Sequence, residues 1–97
     1  MDGSEVCAIY MKALGEPTRL QIVKALGSGP LAVSDLSLIL EIPIQKVSHH
    51  LRVLYNAKIL TQQKDGKYVY YSLNPKFFKP GRSSSTLNLV CCTIGWH

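Results

Sequence analysis

The spacing of apolar residues changes once along this chain, near residue 59, and that change limits the folds open to it. Before this point apolar residues recur every three or four positions, which is typical of helices with one buried face. After it they alternate with polar residues through residues 60–64 and again through 69–73. Asp65 and Gly66 separate the two alternating runs, and this pair favours a tight hairpin turn. The order predicts several helices followed by a β-hairpin.

Helix-breaking residues divide the first part of the helical region into two helices. The first is predicted over residues 6–14, with Gly15 ending it. Its apolar stripe is Val6, Ile9, Tyr10, Ala13 and Leu14. Pro17 suits the first turn of a second helix, which Gly27 closes as a C-cap. The apolar side of this second helix is Leu20, Ile22, Val23 and Leu26.

A third and a fourth helix are predicted on either side of a turn of about three residues, which fits a helix-turn-helix unit. Residues 31–33 are short and extended, and Ser34 is expected to be the N-cap of the third helix, with Asp35 near its positive end. Its apolar residues are Leu36, Ile39 and Leu40. Pro43 can open a helix but cannot continue one, so the fourth is expected over residues 44–57.

The fold class that follows is α+β, mainly α: a winged helix-turn-helix with a two-stranded wing and an extra C-terminal strand. Residues 1–79 form the domain and residues 80–85, rich in Ser, a linker. The apolar and β-branched tail, residues 86–97, is expected to be extended and packed on the domain or on a dimer partner.

Length and composition narrow the class of protein. A chain of 97 residues, 46% of them hydrophobic, is one domain with a modest core. No apolar stretch approaches the ~20 residues of a membrane-spanning helix, and the acidic N-terminus argues against a signal peptide. A cytoplasmic protein without membrane contact is therefore expected. Three cysteines do not make a disulfide framework, so thiols are expected.

The net charge of +5 is unevenly distributed. Residues 1–44 carry three basic and five acidic side chains, whereas residues 45–67 carry five basic side chains and one acidic. The middle of the chain is therefore suited to face an anion such as DNA. A basic surface that is merely solvated is the alternative.

The fourth helix presents two faces when it is wound at about 100° per residue. One face is apolar: Ile44, Val47, Leu51 and Leu54. The other carries Gln45, His49, Arg52 and Asn56. Amide and guanidinium groups match base edges in the major groove, while the flanking Lys46 and Ser48 suit phosphate or peripheral base edges. His50 lies toward the apolar side and is expected to pack there.

The predicted wing adds further candidate DNA contacts. Lys64 and Lys67 bracket the turn, so both ammonium groups are expected near a tip that reaches the DNA backbone or the minor groove. Tyr68 and Tyr70 share a face of the second strand, and their hydroxyls can donate to phosphate. Cross-strand packing is the alternative role for these tyrosines.

Four motifs in this order resemble the winged-helix repressors of the arsenic-repressor (ArsR/SmtB) family. They are LGEPTRLQI at 14–22, VSDL at 33–36, VSHHLRVL at 47–54 and KDGKYVYYSL at 64–73. The resemblance covers residues 6–75. It implies a homodimer that binds a double-stranded DNA operator through the fourth helix and releases it on sensing a metal, a metalloid or a redox change.

The resemblance also bears on the effector. At the positions of the family's Cys-x-Cys metal site this chain has Ala32 and Ser34, and its tail offers only His97 for the family's second, C-terminal site. Cys91 and Cys92 resemble the C-terminal cysteine pairs of arsenite-responsive members, and with Cys7 they make three thiols for arsenite or another thiophilic metal ion. Small buried hydrophobes are the alternative role for these cysteines.

The sequence thus predicts a sequence-specific transcriptional repressor that is not an enzyme, because no catalytic constellation stands out. Release from the operator is expected through a thiol-binding metalloid or metal, or through oxidation. Two alternatives stay open: a winged-helix module for protein or RNA contacts, and a thiol redox or metal-responsive protein without operator binding.

Overall fold

The computed structural model describes residues 3–76, 86–88 and 93–95. Four helices come first in the chain: α1 (Gly3–Leu14), α2 (Pro17–Leu26), α3 (Val33–Leu40) and α4 (Ile44–Asn56). The strands are β1 (Leu31–Ala32), β2 (Leu60–Asp65), β3 (Tyr68–Leu73), β4 (Thr86–Asn88) and β5 (Thr93–Gly95). Within the described ranges, no helix combines the length and the apolar character needed to cross a membrane.

The sheet beside the helices has three strands rather than the two predicted for the wing. Its order is β1-β3-β2, and both pairings are antiparallel. β1 pairs Leu31 with Tyr71, so the two-residue strand just before α3 is hydrogen-bonded to the wing. In the tail, β4 and β5 pair with each other, so the residues described there form two strands rather than the single extra strand predicted. The predicted linker at 80–85 lies outside the described residues.

The hairpin turn is one residue further along than the sequence indicated. Asp65 pairs with Tyr68, so the two turn residues are Gly66 and Lys67. Gly66 has φ of 62°, while Lys67 is not among the residues with positive φ. A turn with glycine at its first central position and positive φ only there fits type II′, not the type I′ turn that Asp-Gly predicts.

The helices begin where side chains or carbonyls satisfy their first N–H groups. Glu16 caps α2, its carboxylate accepting from the backbone N–H of Arg19 at 3.1 Å. The prediction of Ser34 as N-cap of α3 was wrong. Ala32 holds that position, and Asp35 Oδ2 accepts from the Ala32 N–H at 3.0 Å. Asp35 lies in the first turn, as predicted, where its negative charge interacts favourably with the positive end of the helix dipole.

A single apolar core joins the four helices and the three-stranded sheet. Its fully buried side chains are Ile22, Val23, Leu36, Val47, Leu51, Leu54, Ile59 and Leu60. Four residues assigned to apolar faces are instead exposed: Ile9 by 41%, Leu20 by 36%, Ile39 by 56% and Ile44 by 50%. The buried face of each of these helices is therefore narrower than the apolar stripe predicted for it.

Candidate nucleic-acid interface

Helix α4 has the two faces that its sequence predicted. Val47, Leu51 and Leu54 are wholly buried. On the opposite side, the polar residues are exposed: Gln45, His49, Arg52 and Asn56. Lys46 is exposed as well, and Ser48 is half-buried. Because the apolar face anchors the helix in the core, the amide, imidazole and guanidinium groups are presented to solvent in a fixed arrangement.

Ile44 departs from the predicted division of α4. It was expected on the buried face, but its side chain is 50% exposed at the first residue of the helix. The buried face begins one turn later, at Val47. The exposure of Ile44 could have been expected from the sequence. Pro43 places Ile44 in the first turn of the helix, where fewer neighbouring residues are available to cover a side chain.

The wing carries its predicted basic and aromatic residues close together. Lys64, Lys67 and Tyr68 are exposed, and Tyr70 is half-buried. Lys67 Nζ lies 5.5 Å from the centroid of the Tyr68 ring. The rings of Tyr68 and Tyr70 are 6.3 Å apart because alternate residues of a strand share a face.

Two concave surfaces border the start of α4. The wing-side surface, about 300 Å³, is lined by Ser34, Ile44, Lys67 and Tyr68 together with Ala32, Val33 and Val69. The α2-side surface, about 640 Å³, has Gln45, Lys46 and both histidines on α4 facing Glu16, Thr18, Glu41, Ile42 and Pro43. The acidic groups make the α2 side less favourable to phosphate. None of the described residues lining the wing-side surface is acidic.

Arg19, Glu16 and His50 form a side-chain junction between α4 and the first two helices. This junction was not predicted from the sequence. Arg19 Nε donates to the carbonyl of Ala13 near the end of α1. Its Nη1 lies 3.4 Å from His50 Nδ1 on α4. Glu16 Oε2 lies 3.7 Å from the same nitrogen. Arg19 therefore contacts both α1 and α4 from its place on α2.

His50 is neutral in this junction near neutral pH. Burial lowers its pKa from the ordinary value of 6.5, and the nearby Arg19, His49 and Lys46 charges lower it further, against the opposing effect of Glu16. His50 and Glu16 are thus close without forming a full ion pair. A neutral His50 can accept through Nδ1 from the Arg19 guanidinium. The side chain is 15% exposed, which confirms the predicted packing position.

Of the three candidate cysteines, Cys7 lies among the described residues. Cys7 is half-buried on α1 and is disulfide-bonded, whereas a free thiol was expected. Cys91 and Cys92 lie outside the described residues. Among residues 3–76, 86–88 and 93–95 no three His, Cys, Asp or Glu side chains are grouped to hold a metal ion.

Comparison with known proteins decides the family. Residues 16–62 match the model of the bacterial regulatory protein, arsR family. The transcriptional repressor SdpR of Bacillus subtilis is 35% identical over 63 residues, which are 65% of this chain and 70% of SdpR. The chain belongs to the arsR family. It is a DNA-binding transcriptional repressor of this family, and the resemblance read from its four motifs is confirmed.

Other members of the arsR family agree in sequence and in fold. The CadC homolog of Staphylococcus aureus, a cadmium resistance regulatory protein, is 44% identical over 74% of this chain, which spans 60% of that relative. HlyU from Vibrio cholerae has a TM-score of 0.71 at 31% identity, covering 76% of this chain and 82% of its own. The homodimeric winged helix-turn-helix domain of Mb0332 from Mycobacterium bovis also has a TM-score of 0.71, at 25% identity. That match covers 74% of this chain and 67% of the Mb0332 chain. The predicted winged-helix fold is confirmed.

Proposed function

We propose that this arsR-family protein acts in the cytoplasm as a homodimer that represses transcription by binding one operator sequence, without catalysing a reaction. The observation that carries the proposal is the exposed polar face of α4, held by a wholly buried opposite face and flanked by a basic wing. A helix of this kind fits the major groove of B-DNA. The RNA or protein module considered above has no comparable feature in its favour.

Each exposed group has a role that its chemistry supports. Arg52 suits paired hydrogen bonds to guanine, and Gln45 suits adenine. His49 is proposed to contact base edges beside them. The remaining candidates suit phosphates and set the position of the protein: Lys46, Ser48, Lys64, Lys67, Tyr68 and Tyr70. Since Lys67 and Tyr68 line the wing-side surface, whose described lining residues include no acidic side chain, we place one DNA strand there.

The test is a gel-shift titration against a duplex selected by the protein from a random library, repeated at several salt concentrations. Arg52→Ala is expected to weaken the selected site by about 1–3 kcal/mol and to relax the base preference at one position. Lys67→Ala should weaken all duplexes alike and reduce the salt slope by about 0.9. Lys76→Ala, which removes one exposed charge outside the interface, is the matched control. Selection that yields no preferred sequence would overturn the proposal.

For the inducer we propose thiol chemistry at Cys7, Cys91 and Cys92. Cys7 is disulfide-bonded, and if this bond forms and breaks with the redox state, oxidation is the signal; in the reduced protein three thiolates would suit arsenite. Operator release should be measured with peroxide, arsenite, Zn²⁺ and Cd²⁺, for the parent and for the Cys7→Ser, Cys91→Ser and Cys92→Ser variants. Release that is equal in all four proteins would contradict a thiol sensor.

A further inference from the structure

Ile44 was expected on the buried face of α4, but its apolar side chain is exposed at the start of that helix. It is the first residue of α4, next to Gln45, and half of its surface is accessible. A single exposed isoleucine on a protein surface is ordinary. Its surroundings are what distinguish Ile44, because it faces the concave wing-side surface together with Lys67 and Tyr68.

The wing-side surface brings an apolar group and a cationic group to the same place. Lys67 and the Tyr68 hydroxyl suit a phosphate strand, and no acidic residue is among the described residues that line it. In helix-turn-helix proteins the N-terminal residues of the recognition helix reach the base edges. Ile44 would therefore meet the edge of a base close to the backbone of its own strand.

Only one apolar group is offered by base edges in the major groove, the C5 methyl of thymine. That methyl lies on the side of the base toward the sugar and phosphate of the same strand, which is the side that a residue between α4 and the wing would contact. We infer that Ile44 is a specificity-determining residue that packs against a thymine methyl in the operator. The inference rests on the proposed function and adds a base preference to it.

The experiment replaces thymine by deoxyuridine, which keeps base pairing and removes only the methyl. Each thymine of the duplex selected by the full chain is replaced in turn, and dissociation constants are measured for the parent protein and for Ile44→Ala. For the parent we expect about a fourfold loss at one thymine in each half-site, the effect of one buried methyl-sized group. For Ile44→Ala the same replacement should have no effect.

Two further variants separate base contact from packing of the helix. Ile44→Val keeps an apolar contact and should retain part of the methyl discrimination. Leu38→Ala removes an exposed apolar side chain from α3, where Leu38 is 81% exposed, and should leave the discrimination unchanged. A parent protein that selects a sequence but tolerates deoxyuridine at every position, or an Ile44→Ala protein that keeps the parent's discrimination, would overturn the inference. Failure to select any sequence would instead overturn the proposed function.

Discussion

Replacing Arg19 by Met should destabilise the fold without altering the exposed polar face of α4. Methionine keeps much of the apolar stem, but the guanidinium that donates to the Ala13 carbonyl and approaches His50 is lost. A hydrogen bond to a charged group contributes about 1.5–3 kcal/mol, and Ala13 is only 4% exposed, so its carbonyl has little access to water. Arg19 is itself half-buried, which favours the lower part of that range, about 2 kcal/mol.

Thermal unfolding followed by circular dichroism measures this loss. For a domain of this size about 2 kcal/mol lowers the Tm by about 8–16 °C. Arg52→Met, the same substitution on the exposed face of α4, is the matched control and should stay within about 0.5 kcal/mol of the parent. Equal Tm values for the parent and Arg19→Met, or an equal loss in Arg52→Met, would refute the role assigned to the junction.

Three other predictions concern stability. The pKa of His50 is lower in the folded protein than in the unfolded chain, so the unfolded chain binds a proton at this residue first as the pH falls. The stability that His50 contributes above pH 6.5 should therefore be lost as the pH falls through the pKa of the folded state. Urea titrations at about pH 7.5 and about pH 5.5 should show a smaller difference for His50→Gln than for the parent, and an unaltered difference would contradict the assignment. Gly66→Ala should cost about 1 kcal/mol because Gly66 has φ of 62°, which disfavours a side chain; no atom of the described residues lies within 4 Å of the added Cβ, so no steric clash adds to this cost. Leu51→Ala should cost about 2–5 kcal/mol in the same titrations, and a loss under about 1 kcal/mol would mean that the core is not closed around it.

The elements that could be predicted from the sequence are those that local residues determine. Gly15 and Pro17 separate the first two helices, and Pro43 precedes the fourth, as the structure has them. The buried stripe of α4 could be read from spacing alone, because Val47, Leu51 and Leu54 fit one turn of the helix after another.

What could not be predicted depends on partners distant in the chain or on competition between neighbours. Arg19 and His50 are 31 positions apart, and nothing in either motif indicates that they meet. Ser34 has a better capping side chain than Ala32, yet the bond from Ala32 N–H to Asp35 moves the start of the helix two residues earlier. The candidate DNA contacts were predicted from local sequence patterns. The proposed role of Ile44 could not be, because it depends on how close the wing lies to the start of α4.

The pairing of β1 with β3 has a consequence for how such a repressor is controlled. The two residues of β1 lead directly into α3, so main-chain hydrogen bonds join the helix-turn-helix to the wing. We therefore expect the position of α4 relative to the wing to be set within one subunit, through β1 and α3. In the homodimer proposed above, the distance between the two α4 helices would then have to match the helical repeat of DNA, about 34 Å, and a signal that changes this distance would release the operator.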